Sequence, residues 1–329
     1  MTRPITLATG QWADLELKEL CKITSSIGFD GLELMTMDHL FNVDRASRDQ
    51  QYCDSLRQQL QDYHLDCYAV NAALTGQCVG DNWDPRLDHF VPDRYKGKPE
   101  EIRRWAIEQM MKTPAACKNF GVDTVCGFLG SPIWSYFYSF PQTSEEMIKE
   151  GFRKIKELWT PIFDEFHLHG VRFAFEVHPA EIAFDYWSTK RLFEELEDHP
   201  AFFLNFDPSH LLWQGVDPLV FLQDFGHKVI HVHLKDVAIT LDGRNGLLGS
   251  HLPFGQSRRG WNFRSLGRGD VDFESIVRIL NERGYHGPLS IEWEDNGMDR
   301  LEGIEEAFRQ AQALNFSPSN LDFDAAMKN

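Results

Sequence analysis

The chain has 329 residues, 42% apolar and 25% charged, with 33 Lys and Arg against 50 Asp and Glu for a net charge of −17. That apolar content can bury a large core and excludes a disordered chain, while the negative charge repels phosphate backbones and argues against a nucleic-acid partner. No apolar run reaches the ~20 residues of a membrane span, and Met1-Thr2-Arg3-Pro4 opens no basic-then-apolar leader, so a cytoplasmic protein is expected.

Short apolar runs alternate with longer amphipathic segments along the whole chain. The runs Ile5–Gly10, Gly31–Met35, Asp66–Ala72, Thr124–Gly130, Arg172–His178, Phe202–Pro208, Val229–Asp236 and Leu289–Asp295 are β-rich and bounded by Gly, Asp or Pro, and read as strands. Between and after them, Leu15–Ile27, Ser47–His64, Pro99–Phe120, Ser144–His169, Thr189–Asp198, Pro218–Phe225, Phe273–Arg283 and Leu301–Leu314 read as helices, with Ser47, Ser144 and Asp272 as start signals. The joints Ile27-Gly28-Phe29-Asp30-Gly31 and Arg283-Gly284-Tyr285-His286-Gly287 repeat a Gly-ended helix followed by a new strand. Eight strand–helix units with short returns predict a single (β/α)8 TIM barrel domain filling 1–329, the barrel covering about 5–315 and a tail 316–329. No G-x-G-x-x-G follows the first strand, which removes the main support for a dinucleotide fold. The long connections Leu74–Lys98, Ser131–Thr143 and Val237–Val271 all follow strands, and so belong to the C-terminal, catalytic face. Cys21, Cys53, Cys67, Cys78, Cys117 and Cys126 lack C-x-x-C spacing and read as reduced, buried thiols.

The last four predicted strands end in ionisable residues: Glu176-Val177-His178, Asn205-Phe206-Asp207-Pro208-Ser209-His210, His231-Val232-His233-Leu234-Lys235 and Glu292-Trp293-Glu294. Charges inside apolar strands cost several kcal/mol unless paired or bound to a cation. Four consecutive barrel strands would each aim an Asp, Glu or His at one axial cavity, two Glu, one Asp and one His together. That mostly hard-oxygen, single-nitrogen set suits Mn²⁺ first, with Mg²⁺, Co²⁺ or Zn²⁺ as alternatives. His178 lies one strand period beyond Glu176 and is a candidate base or proton shuttle. Lys235 shares a face with His233 and is a candidate for an oxyanion or phosphate, with an ion pair to Asp236 as its structural alternative. The stretch 237–271 carries Arg244, Arg258, Arg259, Arg264 and Arg268 among aromatics. It reads either as a lid over an anionic or polyhydroxyl substrate, with Arg258 as a contact, or as a subunit interface. Ser131–Tyr138 is a second aromatic loop on that face, with Trp134 as a stacking candidate. Trp12 and His39 are minor candidates for the pocket wall.

The GFDGLEL joint together with FEVHP, NFDPSH, HVHLKD and IEWED resembles the sugar phosphate isomerase/epimerase family of the xylose-isomerase-like barrels, over roughly residues 5–315. The resemblance implies that Glu176, Asp207, His233 and Glu292 are the metal ligands. It further implies that Glu176 and Glu292 move protons on either side of the substrate and that His210 contacts it. Two features depart from the epimerase pattern, since Ile182 stands where a second Glu is usual and Ile239 where an Arg is usual. The activity implied is isomerisation or epimerisation of a keto sugar, cyclitol or related polyol, by proton abstraction next to a carbonyl that the metal polarises. The alternative is a lyase on oxidised (3-oxo) glycosides, such as the catalytic subunit of a C-glycoside deglycosidase, sharing the same first step. The partners expected are a sugar or glycoside, a second copy of the chain, and a small accessory subunit under the lyase alternative. Apurinic endonucleases share the barrel, but the charge opposes DNA binding. A metal-free binding protein is the remaining class.

Overall fold

A computed structural model describes residues 2–134, 139–249, 252–319, 324 and 327. Ten strands form in chain order: β1 Ile5–Ala8, β2 Gly31–Met35, β3 Asp66–Asn71, β4 Thr124–Gly127, β5 Arg172–Glu176, β6 Phe202–Phe206, β7 Val229–Leu234, β8 Asp236–Ile239, β9 Trp261–Arg264 and β10 Leu289–Ile291. Eight of them close a parallel barrel in the order β1-β10-β7-β6-β5-β4-β3-β2, with helices around it, as the alternation predicts. Two of the joints behave as expected: Gly28 (φ 109°) and Gly284 (φ 68°) take left-handed conformations that a side chain would strain.

Several boundaries differ. The predicted strands outrun the ladder, by two residues at His178 and by four at Asp295, because β5 ends at Glu176 and β10 at Ile291. His178, Asp207 and Glu292 therefore stand just past paired backbone, at the mouth of the barrel. The second predicted helix starts at Gln50 and is capped by Asp49, whose side chain accepts from Tyr52 N, rather than by Ser47. The helix expected from Thr189 starts at Tyr186, because Asp185 and Ser188 form a reciprocal capping box. Ser144 and Asp272 cap their helices as expected.

Two of the long connections carry structure of their own. A helix, Ala73–Gly80, follows β3, and β8 pairs antiparallel with β9 to make a ribbon within 236–264. Asp236 anchors this ribbon: its carboxylate accepts from the amides of Gly267 (2.9 Å), Gly269 (2.8 Å), Val271 (3.2 Å) and Val237 (2.9 Å). All six cysteines are free. No helix among the described residues is long and apolar enough to cross a membrane.

Period-two alternation sets the chemistry of the barrel wall. Leu32, Leu34, Leu204, Phe206, Val232 and Leu234 are buried in the large apolar cluster shared with the helices. Their alternates Glu33, Asn205, His231 and His233 are also buried, and hydrogen-bond to one another or to other inward residues. The barrel interior is thus polar on the β1, β2, β6, β7 and β10 side, and small and apolar (Ala69, Cys126, Ala174) on the other.

Candidate metal centre and active site

Glu176, Asp207, His233 and Glu292 converge at the mouth, each offering a ligand atom within 4.8 Å of all the others. They come from the ends of four adjacent strands, β5, β6, β7 and β10. The register supports the grouping, since Glu176 pairs with Asn205 and His233 with Ser290.

Each ligand candidate is oriented by its local sequence. In Asp207-Pro208-Ser209-His210 the aspartate caps the short helix Pro208–Leu212, and Oδ1 accepts from Ser209 N (2.8 Å) and Oγ (2.7 Å). That fixes the rotamer and leaves Oδ2 buried with no hydrogen-bond donor among the described residues. One turn on, His210 Nε2 reaches back to Glu176 Oε1 (3.3 Å) and lies 3.5 Å from Asp207 Oδ2. Glu176 Oε2 accepts from Asn205 Nδ2 (3.0 Å), and Glu292 Oε1 from Gln11 Nε2 (2.7 Å). His233 Nε2 donates to Glu33 (3.1 Å), which turns Nδ1 toward Glu292 (2.9 Å) and Glu176 (3.2 Å). Both ring nitrogens of His233 thus face carboxylates: burial opposes its charge, yet Glu33, Glu292 and Glu176 raise its pKa well above the usual imidazole value, and a divalent ion bound there would take the place of the Nδ1 proton.

Three carboxylates in so small a buried volume repel one another unless a cation lies between them. Burial raises the pKa of Asp207 despite the opposing charges of His210 and Lys235. Glu292 is held down to about 2: burial works against ionisation, but the Lys235 and His233 charges outweigh it. The orphaned Asp207 oxygen, the imidazole Nδ1 beside Glu292 and Glu176 and the crowded carboxylates fit a single divalent ion.

Beneath the cluster lies Glu33, fully buried, which accepts from Asn71 Nδ2 (2.7 Å), Ser290 Oγ (2.7 Å), His231 Nε2 (2.8 Å) and His233. Burial opposes its ionisation, but the His233 and His231 charges hold its pKa well below the usual range. The sequence does not single out Glu33, Asn71, Asn205 or Gln11. A Glu between two leucines in the otherwise apolar strand Gly31–Met35 is the signal that points to Glu33.

The remaining candidates fall into place one by one. Lys235 is buried, with Nζ 3.3 Å from Glu292 and 3.2 Å from Glu294 and 4.4 Å from the Phe263 ring centroid. Asp236 is spent on the ribbon, so Lys235 pairs with these two glutamates instead. Burial opposes its charge, yet Glu292 and Glu294 raise its pKa, and it is an ammonium beside the cluster. His178 packs against His210, ring centroids 4.2 Å apart. Its Nδ1 accepts from Ala180 N (3.2 Å), which places the proton of the neutral ring on Nε2. Burial, then the nearby His210, holds its pKa well below the usual imidazole value. His178 is accordingly a hydrogen-bond donor in this geometry rather than the base that strand spacing suggests.

Trp134 lines a cavity of ≈ 560 Å³ that also reaches His178 and His210. Arg258 is exposed and does not line it, whereas its neighbour Arg259 does. The expectation of a basic lid needs the same correction. Arg244 pairs with Asp242, Arg264 with Asp295 and Arg268 with Glu306, while Arg259 donates to the Trp261, Gly249 and Leu252 carbonyls. Arg244, Arg264 and Arg268 are thus spent on nearby acids, and of this set Arg259 is the one that also lines the cavity. The loop stretch 135–138 lies outside the described residues. Trp12 is fully buried under Arg300 and lines a further cavity of ≈ 320 Å³ with Gln11 and Glu294, whereas His39 is exposed and binds the Ala13 carbonyl. At the two departures, Ile182 is buried and Ile239 lies in the ribbon. Glu181, beside Ile182, accepts from the amides of Leu129 and Gly130 (2.7 Å each) and fixes the loop after β4.

A closed eight-stranded barrel with a candidate metal-binding cluster of acidic and histidine side chains at its C-terminal mouth defines the class of this protein, a TIM barrel. Residues 21–314 match the xylose isomerase-like TIM barrel family, to which this chain belongs. The chain is 26% identical to the uncharacterised protein YfiH of Bacillus subtilis, over 93% of this chain and 98% of that one. It is 26% identical to the inosose dehydratase of Clostridium botulinum strain Alaska E43, over 53% of this chain and 55% of the relative, so it spans about half of that enzyme's length. Among solved structures, the IolI protein with a bound zinc atom superposes with TM-score 0.66 (19% identity, 96% of this chain and all of that one). The 3-keto-D-glucoside 4-epimerase YcjR of E. coli superposes with TM-score 0.65 (14% identity, 94% and 99%). At these identities the structural likeness is one of fold.

Proposed function

We propose that this protein is a divalent-metal-dependent isomerase or epimerase of a keto sugar, cyclitol or related polyol, acting by reversible proton transfer at the carbon next to the carbonyl. The observation that carries the reading is the convergence of Glu176, Asp207, His233 and Glu292, with Asp207 Oδ2 buried and accepting no hydrogen bond among the described residues. Those four residues would hold the ion, Mn²⁺ being the first choice for this donor set. When bound, it supplies Lewis-acid polarisation of a carbonyl oxygen.

The protein's own groups supply the rest. Glu176 ends β5 and Glu292 directly follows β10, with two strands between them around the barrel, and so they flank the mouth from different sides. One takes the proton and the other returns it, to the opposite face for epimerisation. The Lys235 ammonium stabilises negative charge that develops on oxygen beside the cluster, and His178 Nε2–H donates to a substrate hydroxyl. Elimination is the second reading. It shares the first step and is supported by Lys235, a cationic proton donor beside the site, and by the inosose dehydratases among the relatives. A lyase acting on a 3-oxo-glycoside is a further form of it.

The test is exchange from D₂O into keto-inositols and ketohexoses in the presence of Mn²⁺. Deuterium should appear at the carbon next to the carbonyl, and Glu292→Gln should lower its rate by about 10²-fold or more. Water loss with deuterium uptake would select the elimination form, and full-rate exchange by Glu292→Gln would remove it from proton transfer.

A further inference from the structure

The ribbon carries one arginine that differs from its neighbours. Arg244, Arg264 and Arg268 each meet an acid, whereas Arg259 is only 1% exposed and pairs with no carboxylate among the described residues. Its Nη1 donates to the Gly249 (3.2 Å) and Leu252 (2.7 Å) carbonyls and its Nε to that of Trp261 (3.3 Å). The Phe254 and Trp261 rings lie against it, 4.3 Å from each centroid. Nη2 is buried and reaches no acceptor among the described residues. Burial lowers the pKa of the guanidinium, with no neighbouring acid to oppose it. A buried cation held by carbonyls and rings alone keeps an uncompensated charge.

The ≈ 560 Å³ cavity beside the cluster reaches this arginine. His178 and His210 stand at its inner end, and Phe263 stands between, its ring centroid 5.5 Å from that of His210 and 5.4 Å from that of Phe254. In a chain of net charge −17, no Asp or Glu lines this cavity among the described residues. Arg86 lines it too, at the exposed rim, with its guanidinium on Asp84. The ≈ 320 Å³ cavity that shares Phe254 and Phe263 is lined by Glu294 and Asp295 instead, so an anion is directed to the larger one. A phosphate dianion brings three strong acceptor oxygens, more than one free guanidinium nitrogen can serve, whereas a singly charged, planar carboxylate needs fewer donors. We infer that Arg259 binds a carboxylate of the substrate, which is thus a keto polyol bearing an acid group on the arm that leads away from the cluster. This rests on the proposed chemistry for the polyol and adds the charge that positions it.

The test is calorimetric titration with D-glucuronate, D-glucuronamide and D-glucose 6-phosphate, each with and without bound Mn²⁺. Glucuronate should bind at least about tenfold more tightly than the amide, which keeps its shape without its charge, and Mn²⁺ should not alter that ratio. Arg259→Gln should remove the preference and Arg259→Lys should restore most of it. Because Arg259 also serves ribbon carbonyls, the affinity for the neutral amide reports whether the variants keep the cavity, and the wild-type ratio decides the matter on its own if they do not. Equal wild-type affinities for acid and amide would overturn the assignment. So would tighter binding of glucose 6-phosphate than of glucuronate, or a preference that appears only with Mn²⁺, which would put the carboxylate on the ion. A protein that keeps the preference but binds no Mn²⁺ would strike the proposed chemistry and leave this site standing.

Discussion

Glu33 is buried as an anion only because four side chains donate to it, and two of them are histidines. Its effect on the site passes through His233. Glu33→Gln keeps the volume but takes away the anionic acceptor that orients the imidazole, so Mn²⁺ or Co²⁺ affinity should fall about 10–100-fold in a protein that still folds. Calorimetric titration with either ion checks this, and an unchanged dissociation constant would assign Glu33 to packing alone. Asp81 gives a residue-scale prediction on stability. Its carboxylate accepts from Ser131 N (2.6 Å), and burial pushes its pKa up to about 6. A carboxyl pKa raised on folding favours the native state at low pH, and that advantage disappears as pH rises from about 4 to about 6. Relative to wild type, Asp81→Asn should therefore match near pH 4 and gain up to roughly 3 kcal/mol by pH 7, read from urea midpoints at both values. A constant offset across that range would contradict the assigned shift.

At the scale of elements, the ribbon β8–β9 shapes the mouth of the barrel, because it carries Trp261 and Phe263, and the Asp236 carboxylate anchors it through four backbone amides. Gly269 is part of that anchor. A Cβ there would lie 2.2 Å from Asp236 Oδ1 and 2.6 Å from the Val237 carbonyl. Gly269→Ala should loosen the ribbon, cost about 1–3 kcal/mol and speed proteolytic cutting within 240–260 ahead of global unfolding. Cutting at the wild-type rate would show that the anchor lies elsewhere. The ribbon is also where sequence pattern runs out. Val237–Val271 is glycine-rich and aromatic without a clean period, so it reads as loop, and its arginines read as ligand contacts when most are spent on carbonyls and nearby acids. Helix starts such as Asp49 and Asp185 are lost for a similar reason: Ser47 and Thr189 are equally good local signals, and only the capping hydrogen bonds decide between them.

For the whole molecule, the barrel is legible because a parallel sheet covered by helices needs apolar strands at regular spacing with short returns, and all eight stand out in the sequence. The candidate cluster is partly legible because ionisable residues interrupt apolar strand ends in the last half of the chain, while the choice of Glu176, Asp207, His233 and Glu292 among them comes from the family resemblance. The polar layer below it is not, since Asn71, Asn205 and Ser290 are ordinary residue types whose meaning comes from meeting Glu33 and His233 across the barrel. The account of the activity depends on one ion held at the barrel mouth. Equilibrium dialysis against Mn²⁺, Co²⁺ and Zn²⁺ in turn, followed by elemental analysis of wild type, Asp207→Asn and Glu292→Gln, tests it most directly. One ion per wild-type chain, held at least about tenfold more weakly by both variants, is the predicted result. A wild-type protein that retains none of the three, or variants that retain them as well as wild type does, would contradict it.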